Sequence, residues 1–278
     1  MNDKAIVTVL IGEPTQASWR TFFEKTWRVY AEKHGYDIIV IDDYIDKTPR
    51  GTSRQPHWQK LLILEHPKVQ GYRHVVWLDG DILINFHAAP CIVSRHASDR
   101  IGVVSYNEYY YSVPERMDNY AARANRLGVT CENLYARAGM PTDVVDYANT
   151  GVVALRPEHR DVLRTIYDGY EENPNTAKEE TPYSYHIFKN GLVKPLDPRF
   201  NRCWLPEIVE KYPILLQPAS RGNDMLPGSC VNAAWHNSWF MHFTSDGLTQ
   251  PDGRTYCIRD DVRYVWIDCP DLLALKLK

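Results

Sequence analysis

A single stretch decides the fold of this chain: Arg73-His74-Val75-Val76-Trp77-Leu78-Asp79-Gly80-Asp81-Ile82-Leu83-Ile84. An apolar run of strand length ends in two carboxylates, and a second apolar run begins directly after them. Taking such carboxylates out of water costs several kcal/mol each unless a cation compensates for it. In an Asp-X-Asp unit both side chains point to the same side of an extended segment, so both can reach one divalent ion. Asp79 and Asp81 are therefore predicted metal ligands. The competing interpretation is a strand-end turn whose aspartates are solvated or cap a helix.

The composition favours a protein that binds small molecules. A chain of 278 residues accommodates one large α/β domain or two small ones, of which we favour one domain, and its formal net charge of −3 offers no electrostatic footprint for nucleic acid or an anionic membrane. Aromatic residues make up 12% of the chain, including 8 Trp and 18 Tyr, and sugar-binding clefts often use such side chains as stacking faces. We therefore expect a small-molecule ligand and no nucleic-acid partner.

Neither the cysteines nor the N-terminal residues indicate secretion. The cysteines include no Cys-x-x-Cys pair, and we interpret all six as reduced thiols: Cys91, Cys131, Cys203, Cys230, Cys257 and Cys269. The apolar run at 5–11 is broken at once by Gly12 and Pro14, so it is too short for a signal sequence or a membrane span. Since no other stretch approaches the length of a span, we predict a cytoplasmic protein without a transmembrane segment.

The first forty residues have the pattern of a parallel α/β sheet. Apolar runs at 5–11 and 36–41 are predicted strands, and residues 17–34 between them place apolar side chains on one face at helical spacing. Strand, helix, strand opens a parallel sheet, and ligands bind such sheets at the carboxyl ends of the strands. This arrangement places Thr8, Gly12 and Asp43 at the ligand edge.

A predicted helix at 57–66 leads into the Asp-X-Asp stretch. Arg54 and Lys60 bracket its start, so helix amides and two cations would form a phosphate-binding lip; the competing interpretation is that both cations are simply solvated. Further along, residues 106–147 leave the rhythm of a sheet, with predicted helices at 114–127 and 131–138. This tyrosine-rich excursion fits either the wall of a site or a helical cover over the core.

The second half of the chain places polar residues beside predicted strands and helices. We predict strands at 101–105, 147–155 and 192–196, helices at 158–172 and after Lys178, and a loop at 221–231. Glu179 and Glu180 fall at the start of a helix, where acids also occur for purely helical reasons. His242 closes a short apolar run and fits a third metal ligand, although a lone histidine of this kind is more often structural.

The order of these features resembles a known enzyme family. The landmarks, in chain order, are Trp58-Gln59-Lys60-Leu61-Leu62, Val75-Val76-Trp77-Leu78-Asp79-Gly80-Asp81, Asn149-Thr150-Gly151, Glu179-Glu180 and His242-Phe243. Together they resemble the retaining, metal-dependent GT-A glycosyltransferases, and most of all the family of yeast mannan galactosyltransferase and plant xyloglucan xylosyltransferase. The resemblance implies an α/β fold with a Rossmann-type mixed sheet flanked by helices in a single domain over 1–278. Residues 1–105 would form its nucleotide-binding half, and residues 106–278 an acceptor half with the metal-completing histidine.

The resemblance also implies ligands and roles. It implies Mn²⁺ or Mg²⁺ held by Asp79, Asp81 and His242 against the diphosphate of a nucleotide-sugar donor, expected to be a UDP sugar, with a glycan or small-molecule hydroxyl as acceptor. An imidazole ligand favours Mn²⁺ over Mg²⁺. Glu180, with Glu179 beside it, would lie next to the anomeric carbon, either as a nucleophile or as electrostatic support for front-face attack. The expected donor-binding residues are Thr8, Gly12, Asp43, Arg54, Lys60, Asp79, Asn149, His236, Asn237 and Gly247.

This chain departs from the family at two landmarks. The family typically has a carboxylate-glutamine pair where Glu179-Glu180 stand, and a basic residue commonly follows its C-terminal histidine, whereas residues 244–247 bring no cation. We therefore expect Arg54 and Lys60 to contact the phosphates instead.

Two other functional classes compete with the transferase interpretation. A sugar-nucleotide-forming nucleotidyltransferase should carry a glycine-rich loop with Arg and Lys after its first strand, which Gly12-Glu13-Pro14-Thr15 lacks. A non-catalytic carbohydrate- or metal-binding module would account for the aromatic residues without a role for Glu180.

Overall fold

A computed structural model describes residues 2–106, 130–172, 178–217, 220, 224–244, 247–249 and 255–265. The strands of the described residues are β1 Lys4–Val9, β2 Asp37–Ile41, β3 His74–Leu78, β4 Ile82–Ile84, β5 Gly102–Ser105, β6 Ala148–Leu155, β7 Arg202–Cys203, β8 Phe240–His242, β9 Gly247–Thr249 and β10 Thr255–Cys257. Their α-helices are α1 Glu13–Phe22, α2 Glu24–His34, α3 Pro49–Ser53, α4 Ile92–His96, α5 Cys131–Arg137, α6 Arg160–Gly169, α7 Glu180–Lys189, α8 Trp204–Lys211 and α9 Met225–His236. Shorter 3₁₀ helices include Pro56–Glu65, Pro198–Phe200 and Ile258–Tyr264.

The chain divides into two units, each built from separated segments. The first comprises Met1–Gln16, Ala31–Gly80 and Cys91–Pro198, and the second comprises Ala17–Tyr30, Asp81–Pro90 and Arg199–Lys278. The single domain expected from the sequence stays a prediction.

A mixed sheet of order β2-β1-β3-β6-β5 forms the centre of the first unit. Strand β1 pairs in parallel with β2 and β3, whereas β6 runs antiparallel to both β3 and β5. Continuous apolar runs make these strands suitable for burial on both faces, and β3 is buried from Val75 to Leu78. The predicted α/β class and the parallel opening of the sheet are confirmed.

The helix predicted before β3 is a 3₁₀ helix, Pro56–Glu65. Every residue from Trp58 to Leu64 is buried, so the segment has no solvent-exposed face of the kind an amphipathic α-helix presents. Gln59 fixes the loop before it, since its Oε1 accepts hydrogen bonds from the amides of Ile45 and Asp46 at 2.8 and 2.9 Å. Lys60 belongs to this buried helix and is only 7% exposed.

A smaller sheet of order β4-β8-β7 lies in the second unit. Strand β8 pairs antiparallel with β4 and parallel with β7, so that His242 stands opposite Ile82 on one side and opposite Cys203 on the other. Trp27 ties α2 to this sheet because its indole Nε1 donates to the carbonyl of Ile82 at 2.7 Å. The register therefore fixes the surroundings of His242.

Several predicted elements differ from the structure. The predicted helix at 17–34 is two helices, α1 and α2, and the predicted strand at 192–196 is reduced to an isolated bridge between Ile101 and Val193. The predicted loop at 221–231 is wrong from residue 225 on, because α9 begins there. Pro227 misled this prediction, since a proline in the first turn removes no helical hydrogen bond.

Other predictions meet the limits of the described residues. The predicted helix at 114–127 and Cys269 lie outside them, whereas each of the five described cysteines is a thiol. Across the described ranges, no helix combines the length and the apolar character needed to cross a membrane.

Candidate active site

Lys60 is the centre of a buried ionic cluster in the first unit. Its Nζ lies 3.1 Å from Asp79 Oδ1, 2.9 Å from Glu179 Oε1 and 3.1 Å from the hydroxyl of Thr150. Burial opposes a charge on Lys60, but Asp79 and Glu179 raise the pKa of its ammonium group above the ordinary value. The lysine therefore stays charged and holds carboxylates that come from two different elements.

The sheet places Asp79 and Thr150 beside this lysine. Asp79 follows β3 directly, and its amide donates to the carbonyl of Gly151 in β6 at 2.8 Å. The indole Nε1 of Trp77 donates to Asp79 Oδ1 at 2.8 Å, which fixes the carboxylate further. The strand-end position predicted for Asp79 is therefore the one that the structure shows.

Glu180 begins α7 and presents one tied and one open carboxylate oxygen. Its Oε2 accepts from the amide of Thr150 at 3.1 Å and from the Asn149 side-chain amide at 3.3 Å, while Oε1 has no hydrogen-bond partner among the described residues. Burial and the neighbouring charge of Glu179 raise the pKa of Glu180 to about 7. Glu180 is thus an acid that takes up or releases a proton near neutral pH.

Glu179 is buried more deeply than Glu180 and has one unsatisfied oxygen. It is 2% exposed, and its Oε2 has no hydrogen-bond partner within the part of the chain that the structure describes. The nearest ring nitrogen belongs to His57, at 3.6 Å. Burial and the charges of Lys178 and Lys60 lower the pKa of His57 to about 3, so this imidazole is neutral, and among the described residues Lys60 is the cation that compensates for Glu179.

The second unit contains a carboxylate-imidazole pair. Asp81 Oδ1 lies 3.2 Å from His242 Nε2, and the amide of Phe243 donates to the Asp81 carbonyl at 2.9 Å. This proximity follows from the register, because Asp81 immediately precedes Ile82, the partner of His242 in the sheet. Burial would lower the pKa of His242, but the adjacent Asp81 raises it well above the ordinary value.

Two further residues complete the surroundings of this pair. His242 Nδ1 lies 3.0 Å from the side-chain oxygen of Asn201, which can only accept, so Nδ1 carries a proton and donates it. On the other side, Arg259 Nη2 donates to Asp81 Oδ2 at 3.1 Å. Both Asp81 oxygens therefore contact nitrogen groups, and the Nε2 of His242 is the ring atom that faces the carboxylate.

Some predicted donor-binding residues lie in settings that differ from the cluster around Lys60. The Arg54 guanidinium is 3% exposed and donates to the carbonyls of Tyr167 and Tyr170 and to Glu171, so these groups occupy it within the first unit. Asp43 follows β2 and is exposed, with Lys47 as its ion-pair partner at 2.7 Å.

The remaining predicted residues are spread over both units. Thr8 lies inside β1 with its hydroxyl buried and without a hydrogen-bond partner among the described residues, and Gly12 adopts a left-handed φ of +89° just after that strand. In the second unit, His236 ends α9 and is exposed, Asn237 donates to the carbonyl of Ala233 at 2.8 Å, and Gly247 begins β9.

Sequence reasoning missed Asn201 and Arg259. Asn201 follows a short 3₁₀ helix, and Arg259 lies in a segment without periodic spacing, so no motif marked either residue. Thr150 was part of a noted landmark, but its role as a shared partner of Lys60 and the two glutamates depends on the pairing of β6 with β3.

Comparison with known proteins supports the fold. No family model and no curated protein matches the sequence. Among solved structures, a glycosyltransferase involved in the glycosylation of the major capsid of PBCV-1 is similar, with 14% sequence identity, a TM-score of 0.53, and coverage of 94% of this chain and 97% of that chain. The galactosyltransferase LgtC, in complex with donor and acceptor sugar analogues, has 13% identity and a TM-score of 0.48 over 94% of each chain. The first likeness shows that this chain has a GT-A glycosyltransferase fold.

The ionic cluster yields a stability prediction for Lys60. Replacing it in Lys60→Met leaves the buried Glu179 without a cation, and breaking a buried pair in this way costs about 3–5 kcal/mol of unfolding free energy. The double variant Lys60→Met/Glu179→Gln should be less destabilised than Lys60→Met, since it removes the uncompensated charge. Urea unfolding measures both, with the exposed Lys189→Met as control. A double variant that is less stable than Lys60→Met would contradict the cluster.

Glu180 yields a pH prediction. Its pKa of about 7 in the folded chain exceeds its ordinary value of 4.5, so the folded state holds a proton that the unfolded chain has lost between these values. The stabilising contribution of Glu180 is therefore present at low pH and is lost as pH rises through about 7. Relative to wild type, Glu180→Gln should become progressively more stable as pH rises from about 4.5 to about 7 and should show no further relative gain above that, with up to about 1.4 kcal/mol for each unit by which the two pKa values differ.

Thermal and urea unfolding at a series of pH values, with EDTA present, measures this dependence. Glu132→Gln, an exposed change in α5, serves as control and should give a curve parallel to wild type. A stability difference between Glu180→Gln and wild type that does not vary with pH would show that Glu180 has an ordinary pKa.

Proposed function

We propose that this chain transfers a sugar from a nucleoside-diphosphate sugar, with UDP as the expected nucleotide, to an acceptor hydroxyl. The observation that carries the proposal is the contact between Asp81 and His242, the acid and the imidazole expected to bind one divalent cation. The GT-A fold supports it, because proteins of that fold include glycosyltransferases.

The proposed metal ligands fit a divalent ion by their chemistry. Asp79, Asp81 and His242 offer two carboxylates and an imidazole, a donor set that suits Mn²⁺ better than Mg²⁺. Only Gly80 separates the two aspartates, so the covalent chain keeps them near each other. The side-chain oxygen of Asn201 accepts a hydrogen bond from His242 Nδ1, and this bond leaves Nε2 as the atom available to an ion.

A bound divalent ion would neutralise the charge that develops on the departing diphosphate. The chain's own residues would perform the remaining tasks. Lys60 and Trp77 hold Asp79 in one orientation, so that the acid does not have to be ordered when the donor binds. The free-energy cost of ordering Asp79 is therefore met when the chain folds and not when the donor binds.

Glu180 is the proposed residue beside the anomeric carbon. Its Oε2 is fixed by Thr150 and Asn149, which orients the open Oε1 for a substrate. As a carboxylate, Glu180 would stabilise positive charge on the sugar ring, either electrostatically during front-face attack or as a short-lived nucleophile, and both routes retain the anomeric configuration. Glu179, buried and paired with Lys60, acts through its neighbour as a positioning residue.

Two predicted residues keep proposed roles in binding the donor. Asn149 lies beside Glu180 and has an amide suited to sugar hydroxyls, and Asp43 follows the end of β2, where a carboxylate accepts hydrogen bonds from ribose hydroxyls. The engaged guanidinium of Arg54 leads us to exclude it from the proposed site.

Turnover of nucleotide sugars tests this function. Incubating the protein with a panel of nucleotide sugars and Mn²⁺, without acceptor, should release free sugar slowly from one donor, and EDTA should abolish the release. Asp81→Asn removes a metal ligand and should lower this rate by about 100-fold or more. Replacing residues that only hydrogen-bond to metal ligands already costs about 10–100-fold in metal affinity or activity.

Asp161→Asn, an exposed change in α6, is the control and should keep wild-type activity. Metal-dependent donor binding without any turnover would favour a binding module over an enzyme. Wild-type rates in Asp81→Asn would remove Asp81 from the metal site.

A further inference from the structure

Arg259 is the cation that the second unit directs at Asp81. Its Nη2 lies 3.1 Å from Asp81 Oδ2, on the oxygen that His242 does not contact. Two other cations of this unit, Arg202 and Lys211, are both engaged by the buried Glu207. Asp81 thus carries an imidazole on one oxygen and a guanidinium on the other.

The Arg259 side chain is only partly used by this contact. It is 35% exposed, and its Nε is buried without a hydrogen-bond partner among the described residues. A guanidinium offers five N–H donors in a planar fork that matches phosphate oxygens. Arg259 therefore has donors left for a second anion while it pairs with Asp81.

A divalent ion and this guanidinium compete for the same carboxylate. Two cationic groups on the two oxygens of one carboxylate repel each other, and the repulsion is strong where water is largely excluded. Asp81 is 14% exposed, so little solvent screens the pair. An ion bound at Asp81 would weaken the hold of Asp81 on Arg259, and the guanidinium would then bind more strongly to another nearby anion.

We propose that Arg259 exchanges partners: it pairs with Asp81 in the metal-free protein and contacts the diphosphate once the cation and the nucleotide bind. This inference rests on the proposed function and names the residue that binds the donor phosphates. Residues 244–247 include no cation that could contact the phosphates, and Arg259 would supply one. Lys60 and Arg54, which the sequence predicts as phosphate ligands, are engaged by groups of the first unit.

Calorimetric titration of the full chain tests the exchange with two probes, Mn²⁺ alone and UDP at saturating Mn²⁺. Arg259→Gln should bind Mn²⁺ several-fold more tightly than wild type, because Asp81 has lost its competing cation. The same variant should bind UDP about tenfold more weakly, as expected for the loss of one charge-assisted hydrogen bond. The two affinities are thus predicted to change in opposite directions.

Two variants separate the exchange from a general effect of charge. Arg263→Gln removes an exposed arginine from the same 3₁₀ helix, and it should change neither affinity by more than about twofold, because salt screens exposed charges. Arg259→Lys keeps the charge but loses the planar fork, so it should bind UDP less tightly than wild type and more tightly than Arg259→Gln.

The outcomes distinguish the exchange from the proposed function. If wild type binds Mn²⁺ and UDP but Arg259→Gln matches it, or weakens both affinities together, the exchange is wrong and the proposed function stands. If wild type binds neither probe, the proposed function fails, and the exchange fails with it.

Discussion

The contact between Asp81 and His242 determines how the candidate metal site is built. Burying a carboxylate and an imidazole costs free energy unless the two groups pair with each other, and here they lie 3.2 Å apart. The second ring nitrogen of His242 is hydrogen-bonded to Asn201. Three strands determine this arrangement, because the register sets Ile82 and Cys203 on either side of His242. The pair is therefore a product of sheet pairing rather than of a local motif.

In the first unit, a lysine compensates for the charge of buried carboxylates. Lys60 neutralises part of the charge of Asp79 and Glu179, and it lies next to them because its 3₁₀ helix is buried. Glu180 lies at the edge of this cluster, close enough to Glu179 for its pKa to rise to about 7. An ionic cluster of this kind contributes little net stability, so its retention is better explained by the orientation it gives to functional acids.

The sequence predicted the parts of the site that depend on local pattern. Asp79 and Asp81 stand out because charges interrupt apolar strands, and the α/β class follows from strand and helix periods near the N-terminus. The prediction of Lys60 as a phosphate ligand was made from a helix start, which carries no information about which acids lie opposite in the fold. The pairing of β6 with β3 brings Thr150 to that lysine.

Contacts between residues distant in sequence account for what the sequence alone did not reveal. Arg259 meets Asp81 across 178 positions of the chain, and Asn201 meets His242 across 41. The guanidinium of Arg54 has the chemistry of a phosphate ligand, but in the folded chain it donates to backbone carbonyls. Helix α9 was missed because a glycine and a proline at its start imitate a loop.

Anomalous diffraction from crystals grown with Mn²⁺ shows whether Asp81 and His242 bind the same ion. An anomalous peak is expected at about 2.0–2.4 Å from Asp81 and from His242 Nε2, the range for oxygen and nitrogen ligands. A peak elsewhere, with Asp81 and His242 still in direct contact in the metal-loaded crystal, would contradict this expectation.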